Sequence, residues 1–122
     1  MINMARLLLF ITESPFQHES IDHALKIAEA ALKKGNQVDI FLMMDGVYNP
    51  LNTQNGEPFK IESVSERLTR LSEAGVNITS CRVCMELRGV SDDNITKVDV
   101  GGLFDLSEMI SEADTVITFT GA

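Results

Sequence analysis

Short apolar runs alternate with amphipathic helical segments along the chain, and this alternation restricts the fold more than any other feature. The first run, residues 7–11, is continuous and too short for a helix, which is typical of a strand buried on both faces. From Ser20 to Gly35 the apolar residues recur instead with a helical period. Because the pattern repeats, the sequence predicts an α/β fold in which helices cover both faces of a parallel sheet.

The predicted strands are short and number five: residues 7–11, 38–44, 76–80, 97–100 and 115–119. The predicted helices, three long and one short, begin near Ser20, Ile61, Leu103 and Cys81. The polar stretch 45–59 is a loop, and loops of this length without their own structure are often functional. A chain of 122 residues buries one core, so residues 1–122 are expected to form a single domain.

The charge balance is acidic, with 18 Asp and Glu residues against 10 Lys and Arg residues and a net charge of -8. This excess argues against direct binding to nucleic acids or to anionic membrane surfaces, because both need basic residues. No stretch approaches the roughly 20 apolar residues of a membrane span. Two cysteines are too few for the disulfide framework of a small secreted domain, so a cytoplasmic location is expected.

Right-handed crossovers bring three segments to the carboxyl edge of such a sheet, where α/β proteins bind their ligands. They are the turn 12–18, the loop 45–59 and the segment that begins at Cys81. The turn contains no glycine, so it is neither a dinucleotide fingerprint nor a P-loop, and no cofactor is predicted. The loop is expected to lie over the Cys81 edge, with Tyr48 near the pocket or at a subunit contact.

The two cysteines, Cys81 and Cys84, are the main candidates for chemistry. We expect Cys81 to open a helix directly after a strand, where unpaired N–H groups, the helix dipole and the neighbouring Arg82 favour the reactive thiolate. Cys84 lies one turn further along and is expected to share a buried face with Leu87. Cys81 should therefore be the more exposed and more reactive thiol, with a depressed pKa. The alternative is that both cysteines are small buried hydrophobic residues.

The histidines allow a zinc site or a catalytic base as alternatives. Together with the two cysteines, His18 and His23 make a nominal set of four ligands, but their separation on one helix sets them about 140° apart. No metal is therefore predicted. His18 alone lies near the Cys81 edge and could help to deprotonate that thiol, although a solvated side chain is the simpler interpretation. His23 is expected at the surface.

The Cys-x-x-Cys spacing also occurs in thioredoxin-like oxidoreductases. In this chain it lies two-thirds of the way along the sequence, and all three prolines precede it, so the proline that normally faces the motif is missing. A thioredoxin is therefore disfavoured, whereas thiol redox chemistry between Cys81 and Cys84 stays open.

Two stretches resemble those of the DsrE/DsrF family, which includes sulfur-relay proteins. One is Asp-Gly-Val-Tyr-Asn at residues 45–49, and the other runs from Cys to Arg-Gly-Val at residues 81–90. The spacing between elements also fits over nearly the whole chain. The resemblance implies a three-layer α/β/α domain with a five-stranded parallel sheet. It also implies a homotrimer, a homohexamer or a hetero-oligomer with sister subunits.

By position, the resemblance implies that Cys81 accepts sulfane sulfur from a donor as a persulfide and passes it to a partner protein, as a sulfurtransferase would. Other residues implied to border the site are Gly46, Val47, Tyr48, Asn49 and Arg82. Cys84 departs from the one-cysteine pattern, and it could attack the Cys81 persulfide and release sulfide, leaving a disulfide. Some family members are thought to be scaffold subunits without catalysis, so an oligomeric binding subunit is the other class of function.

Overall fold

The computed structural model describes residues 5–120. Its strands are β1 (Arg6–Ile11), β2 (Gln37–Leu42), β3 (Asn77–Cys81), β4 (Asp99–Gly101) and β5 (Thr115–Phe119). Its α-helices are α1 (Ser20–Lys33), α2 (Val64–Glu73), α3 (Arg82–Leu87) and α4 (Leu103–Glu112). The strands form one sheet in the order β4-β3-β2-β1-β5, and every neighbouring pair is parallel. The predicted α/β fold is confirmed. The predicted domain, residues 1–122, includes residues 1–4 and 121–122, which lie outside the described part.

The central strands are buried on both faces because their side chains alternate between two cores. In β1, Leu9 faces the core formed with α1 and α2, whereas Leu8 faces the core formed with α3 and α4. In β2, Ile40 and Phe41 divide in the same way. The continuous apolar runs in the sequence have this origin, since a strand covered on both sides needs apolar residues at consecutive positions.

The helices α1 and α2 form one layer and follow from clear local signals. The residues that α1 buries are spaced by three or four: Ile21, Ala24, Leu25 and Ala28. Ser63 starts α2, because its side-chain oxygen accepts a hydrogen bond from the Glu66 N–H at 3.2 Å. Ile61 lies before this helix rather than within it. None of the helices within residues 5–120 has the length and apolar composition that a membrane crossing requires.

The main departures from the predicted elements lie at the carboxyl edge. β2 ends at Leu42 instead of residue 44, because Met44 adopts a left-handed φ of 52° and begins a 3-10 helix, Met44–Tyr48. A second 3-10 helix, Glu57–Phe59, lies later in the same loop. β3 and β4 each end one residue later than predicted, so Cys81 closes a strand and does not belong to the helix that follows.

Candidate functional site

Cys81 and Cys84 lie side by side at the carboxyl edge of the sheet. Cys81 is the last residue of β3 and the N-cap of α3, and Cys84 is the third residue of that helix. Side chains at these two positions face each other at a helix start. Both cysteines are free, and both belong to the core formed with α3 and α4. The local fold therefore produces a dithiol from a four-residue stretch of sequence.

Burial raises the pKa of the Cys84 thiol above its ordinary value of 9.0. The backbone N–H of Met44 acts in the opposite direction, the neighbouring Cys81 raises the pKa further, and the Arg88 guanidinium lowers it. The net result is that Cys84 keeps its proton at neutral pH. It can therefore act as a hydrogen-bond donor toward a charged sulfur on Cys81.

The expectation that Cys81 is the more exposed thiol is wrong. The exposed fractions are 3% for Cys81 and 5% for Cys84, and both residues belong to the core formed with α3 and α4. Cys81 is buried because it is still part of a central strand. Cys84 does not share a buried face with Leu87, which is 79% exposed, because α3 packs through Cys84 and Met85.

The electrostatic support expected at Cys81 is smaller in the structure. α3 has only 6 residues, and the Cys81 side chain makes no capping hydrogen bond, so a helix dipole contributes little. The Arg82 guanidinium donates two hydrogen bonds to Asp92, at 2.6 and 3.0 Å, and Glu86 lies 3.5 Å away. These hydrogen bonds raise the pKa of Arg82. Its charge is therefore compensated by carboxylates and not directed at Cys81.

The segment after β2 lies beside the dithiol, as expected. Residues 44–48 pack against β3 and α3, and Tyr48 is half-buried against the core that contains both cysteines. Arg88 joins this segment to the helix, because its Nε donates to Asp45 at 2.9 Å and its Nη1 to the Cys84 carbonyl at 3.4 Å. Sequence reasoning missed Arg88 as a site residue, although its position four residues after Cys84 was the available signal.

Gly46, Val47 and Asn49 shape the segment from within and are buried. A Cβ on Gly46 would stand 2.3 Å from the Ile11 carbonyl oxygen, so only glycine allows this approach. The Asn49 side-chain amide donates to the Glu13 carbonyl at 2.7 Å and to the Gly46 carbonyl at 2.9 Å. These residues thus fix the backbone next to the dithiol.

Sequence reasoning also missed three buried polar atoms at this edge. Glu13 Oε2, Asn49 Oδ1 and Ser80 Oγ have no hydrogen-bond partner among the described residues. Glu13 follows β1 and is only 4% exposed, and Ser80 directly precedes Cys81. The sequence placed Glu13 in a turn, and nothing in the sequence indicated that this charged residue is buried. The edge is therefore more polar inside than the apolar pattern of the strands indicates.

The histidines lie apart from this arrangement. His18 and His23 are exposed, and within residues 5–120 neither makes a hydrogen bond or ion pair with Cys81 or Cys84. In the same part of the chain, no group of three or more His, Cys, Asp and Glu side chains is arranged to hold a metal ion. The structure thus gives His18 no contact through which it could deprotonate Cys81.

Comparisons with known proteins agree with this fold. The sequence model of the DsrE/DsrF-like family matches residues 5–119. Protein YchN of Escherichia coli is 31% identical over 120 residues, which cover 95% of this chain and 100% of the relative. The DsrE protein of Allochromatium vinosum, whose name provisionally assigns it to the sulfurtransferases, is 30% identical over 125 residues, covering 91% of this chain and 95% of the relative. The crystal structure of E. coli YchN matches with a TM-score of 0.85 at 28% identity, covering 95% of this chain and 100% of that chain.

Proposed function

This chain belongs to the DsrE/DsrF-like family, and we propose on that basis that it is a sulfur-relay protein in which Cys81 accepts sulfane sulfur as a persulfide and passes it to a partner protein. The observation that carries the proposal is the free dithiol at the carboxyl edge of the sheet. The relative named for sulfurtransferase activity supports the same class of reaction. A cytoplasmic location, where thiols remain reduced, is part of the proposal.

The transfer needs no oxidant, because the sulfur arrives already in the sulfane state. The Cys81 thiolate attacks the terminal sulfur of a donor persulfide, so that an S–S bond forms at Cys81 while the donor's S–S bond breaks. The donor leaves as a thiolate. A thiolate of the acceptor then attacks the terminal sulfur of the Cys81 persulfide, which restores the Cys81 thiolate and moves the persulfide to the acceptor.

The two thiols have different roles in this scheme. Cys84 keeps its proton because burial raises its pKa, so its S–H stabilises negative charge on the sulfur at Cys81. The Arg88 guanidinium, which donates to Asp45 at 2.9 Å, lowers the pKa of Cys84 and so offsets part of the effect of burial. The residues Gly46, Val47 and Asn49 hold the segment beside the dithiol and are not expected to touch the sulfur.

A resolving role for Cys84 is the second candidate, and the position of both cysteines in one core at the start of α3 favours it. As a thiolate, Cys84 would attack the inner sulfur of the Cys81 persulfide. A Cys81–Cys84 disulfide would form, and hydrosulfide would leave. Because the pKa of Cys84 is raised, this route is slow at neutral pH and becomes faster as the pH rises.

A scaffold subunit is the third candidate, because both cysteines are as buried as ordinary core residues.

An oligomeric assembly is compatible with both the sulfur-relay and the scaffold function. The proposed state is a homotrimer, a homohexamer or a hetero-oligomer with sister chains, and it is supported by the uncovered surface of α4. Of that helix only Met109 is buried, while Leu103, Phe104 and Ile110 are exposed.

Intact-mass measurement after incubation with glutathione persulfide near pH 7 tests the proposal. The wild type and Cys84→Ser are expected to gain the mass of one sulfur atom, which dithiothreitol removes, whereas Cys81→Ser gains none. Equal uptake by Cys81→Ser would contradict relay at Cys81. Absence of uptake by the wild type, with the fold intact by circular dichroism, would favour the scaffold function.

A further inference from the structure

An open cavity of about 460 Å³ lies between α4 and the strands β3 and β4, toward the amino end of the sheet. Its wall includes Asn77 and Asp99, the first residues of those two strands. The dithiol lies at the opposite end, because Cys81 is the last residue of β3. α3 has only 6 residues and begins at the carboxyl edge, so it covers only that end of its face of the sheet. The cavity occupies the part of this face that α3 leaves open.

Carboxylates dominate the cavity wall. Three stand on one face of α4, because residues spaced by three or four positions share a helix face, and a fourth comes from β4: Asp105, Glu108, Glu112 and Asp99. Among the lining residues that the structure describes, Arg6 alone is basic. A cleft lined mostly by one sign of charge concentrates ions of the opposite sign, so this wall attracts a cation.

Arg6 does not balance this charge, because its guanidinium is already shared. Its Nε donates to Asp39 at 2.7 Å, and its Nη1 lies 3.4 Å from Glu112. The pKa of this guanidinium is raised first by the hydrogen bond to Asp39 and further by the charges of Glu112 and Glu108. With Asp39, the region holds five carboxylates and one guanidinium, which leaves an excess of four negative charges.

A buried hydroxyl in the same wall also needs a partner. Thr79 lines the cavity and is only 6% exposed, yet its hydroxyl makes no hydrogen bond to any residue between positions 5 and 120. Buried hydroxyls are normally hydrogen-bonded, and a threonine oxygen can accept from an N–H group. A diffuse cloud of counterions would balance the carboxylates but would not satisfy this oxygen. The cavity therefore suits a ligand that carries both positive charge and hydrogen-bond donors.

The arrangement of the wall selects among cations. Within residues 5–120, no group of three or more His, Cys, Asp and Glu side chains is placed to hold a metal ion, so these carboxylates do not converge on one point. Carboxylates that stand apart suit a ligand whose positive charges are also separated. Val100 and the buried Met109 lie in the same wall, and their apolar surfaces suit methylene groups. A cavity of about 150 Å³ binds benzene, so this larger one has room for a longer chain.

We propose that the cavity binds a linear aliphatic polyamine such as spermidine. Its ammonium groups contact the carboxylates of α4 and β4, and one ammonium N–H donates to the Thr79 hydroxyl. Its methylene groups pack on Met109 and Val100. This site lies at the end of the sheet remote from Cys81, so the inference goes beyond the proposed sulfur-relay function and does not rest on it.

Isothermal titration calorimetry with spermidine at low ionic strength tests the site. The wild type should bind one equivalent with a Kd below about 1 mM. Glu108→Gln/Glu112→Gln removes two ion pairs and should weaken binding about 10-fold. The matched control is Glu66→Gln/Glu73→Gln, which makes the same change in net charge at exposed positions of α2 in the opposite layer and should bind like the wild type. Thr79→Val keeps the shape of the side chain and should weaken binding about 5-fold. Circular dichroism checks the fold of each variant.

Several results would overturn the proposal. One is the absence of saturable binding by the folded wild type, and another is an equal loss in both double variants, which would indicate attraction by the overall charge of -8. Equal binding of Mg²⁺ at the same ionic strength would also contradict a polyamine site. A lysine tetrapeptide that binds more than about tenfold tighter than spermidine would replace the proposal with a basic partner protein. Persulfide uptake measured on the same variants keeps these outcomes separate from the sulfur-relay function, because Cys81 is unchanged in all of them.

Discussion

Gly46→Ala is the substitution whose effect can be worked out most directly from the structure. Gly46 lies in the segment beside the dithiol, and its α-carbon approaches the end of β1. An added Cβ would stand 2.3 Å from the Ile11 carbonyl oxygen and 3.1 Å from the carbonyl carbon. Both opposing atoms are backbone atoms of a central strand, so neither can rotate away as a side chain would.

The expected cost has two parts. Relief of the clash requires the segment to move outward, and forced overpacking of this kind costs about 1–3 kcal/mol. The same Ile11 oxygen accepts a hydrogen bond from the Met43 N–H at 3.0 Å, and weakening it costs about 1 kcal/mol more. We therefore expect Gly46→Ala to lower the free energy of unfolding by about 3 kcal/mol.

Urea unfolding followed by far-UV circular dichroism measures this loss. With a slope of about 2 kcal/mol per molar urea, the midpoint should fall by about 1.5 M. Tyr48 is the only tyrosine and the chain has no tryptophan, so intrinsic fluorescence reports on the displaced segment itself.

Gly102→Ala is the matched control, because a Cβ at this position has no atom within 4 Å and the residue caps α4 with its backbone. It should cost about 1 kcal/mol or less. If Gly46→Ala is as stable as this control, the close approach to Ile11 does not constrain the segment.

Three further predictions concern stability. Arg6→Met leaves Asp39, which is 3% exposed, without the guanidinium that lies 2.7 Å from it, and should lower the free energy of unfolding by about 2–4 kcal/mol in urea titrations. Asn49→Asp turns a buried donor into a charge facing two carbonyl oxygens, and should cost about 3 kcal/mol or more by the same measurement. Burial raises the pKa of Cys84 above 9.0, so the folded state keeps a proton that the unfolded chain has lost, and stability should fall as the pH rises through the ordinary thiol pKa. Cys84→Ala should reduce that fall; an equal slope in both proteins would contradict a raised pKa.

The fold was predictable because its signals are strong and local. Consecutive apolar residues in β1 and β2 and the spacing of buried residues in α1 each determine an element without information from the rest of the chain. The order of the strands, β4-β3-β2-β1-β5, was not predicted and comes from the structure. The end of β2 was not predictable in the same way, because the left-handed Met44 depends on how the chain packs over β3 and α3.

The sequence predicted that the candidate residues meet at one edge of the sheet, but it did not predict how deeply they are buried. α3 has 6 residues, so its apolar pattern spans less than two turns and cannot decide which face packs inward. Leu87 was expected inside and is 79% exposed, while Met85 is fully buried. Likewise, the partners of Arg82 and Arg88 are acidic residues distant in the sequence, at positions 92 and 45, and only the tertiary structure assigns them.

The burial of Cys81 bears directly on how a relay could work. A thiol that is 3% exposed presents almost no surface to a partner, yet a persulfide extends the side chain by one S–S bond, about 2.05 Å. In the proposed relay, the terminal sulfur of a loaded Cys81 would have to extend outward from the buried thiol, so that an acceptor thiolate could attack it. A donor persulfide protrudes in the same way, so its terminal sulfur can enter where a whole cysteine side chain cannot. On this proposal, burial of the inner sulfur would favour relay over disulfide formation with a partner, because a partner's thiolate would reach the outer sulfur before the inner one.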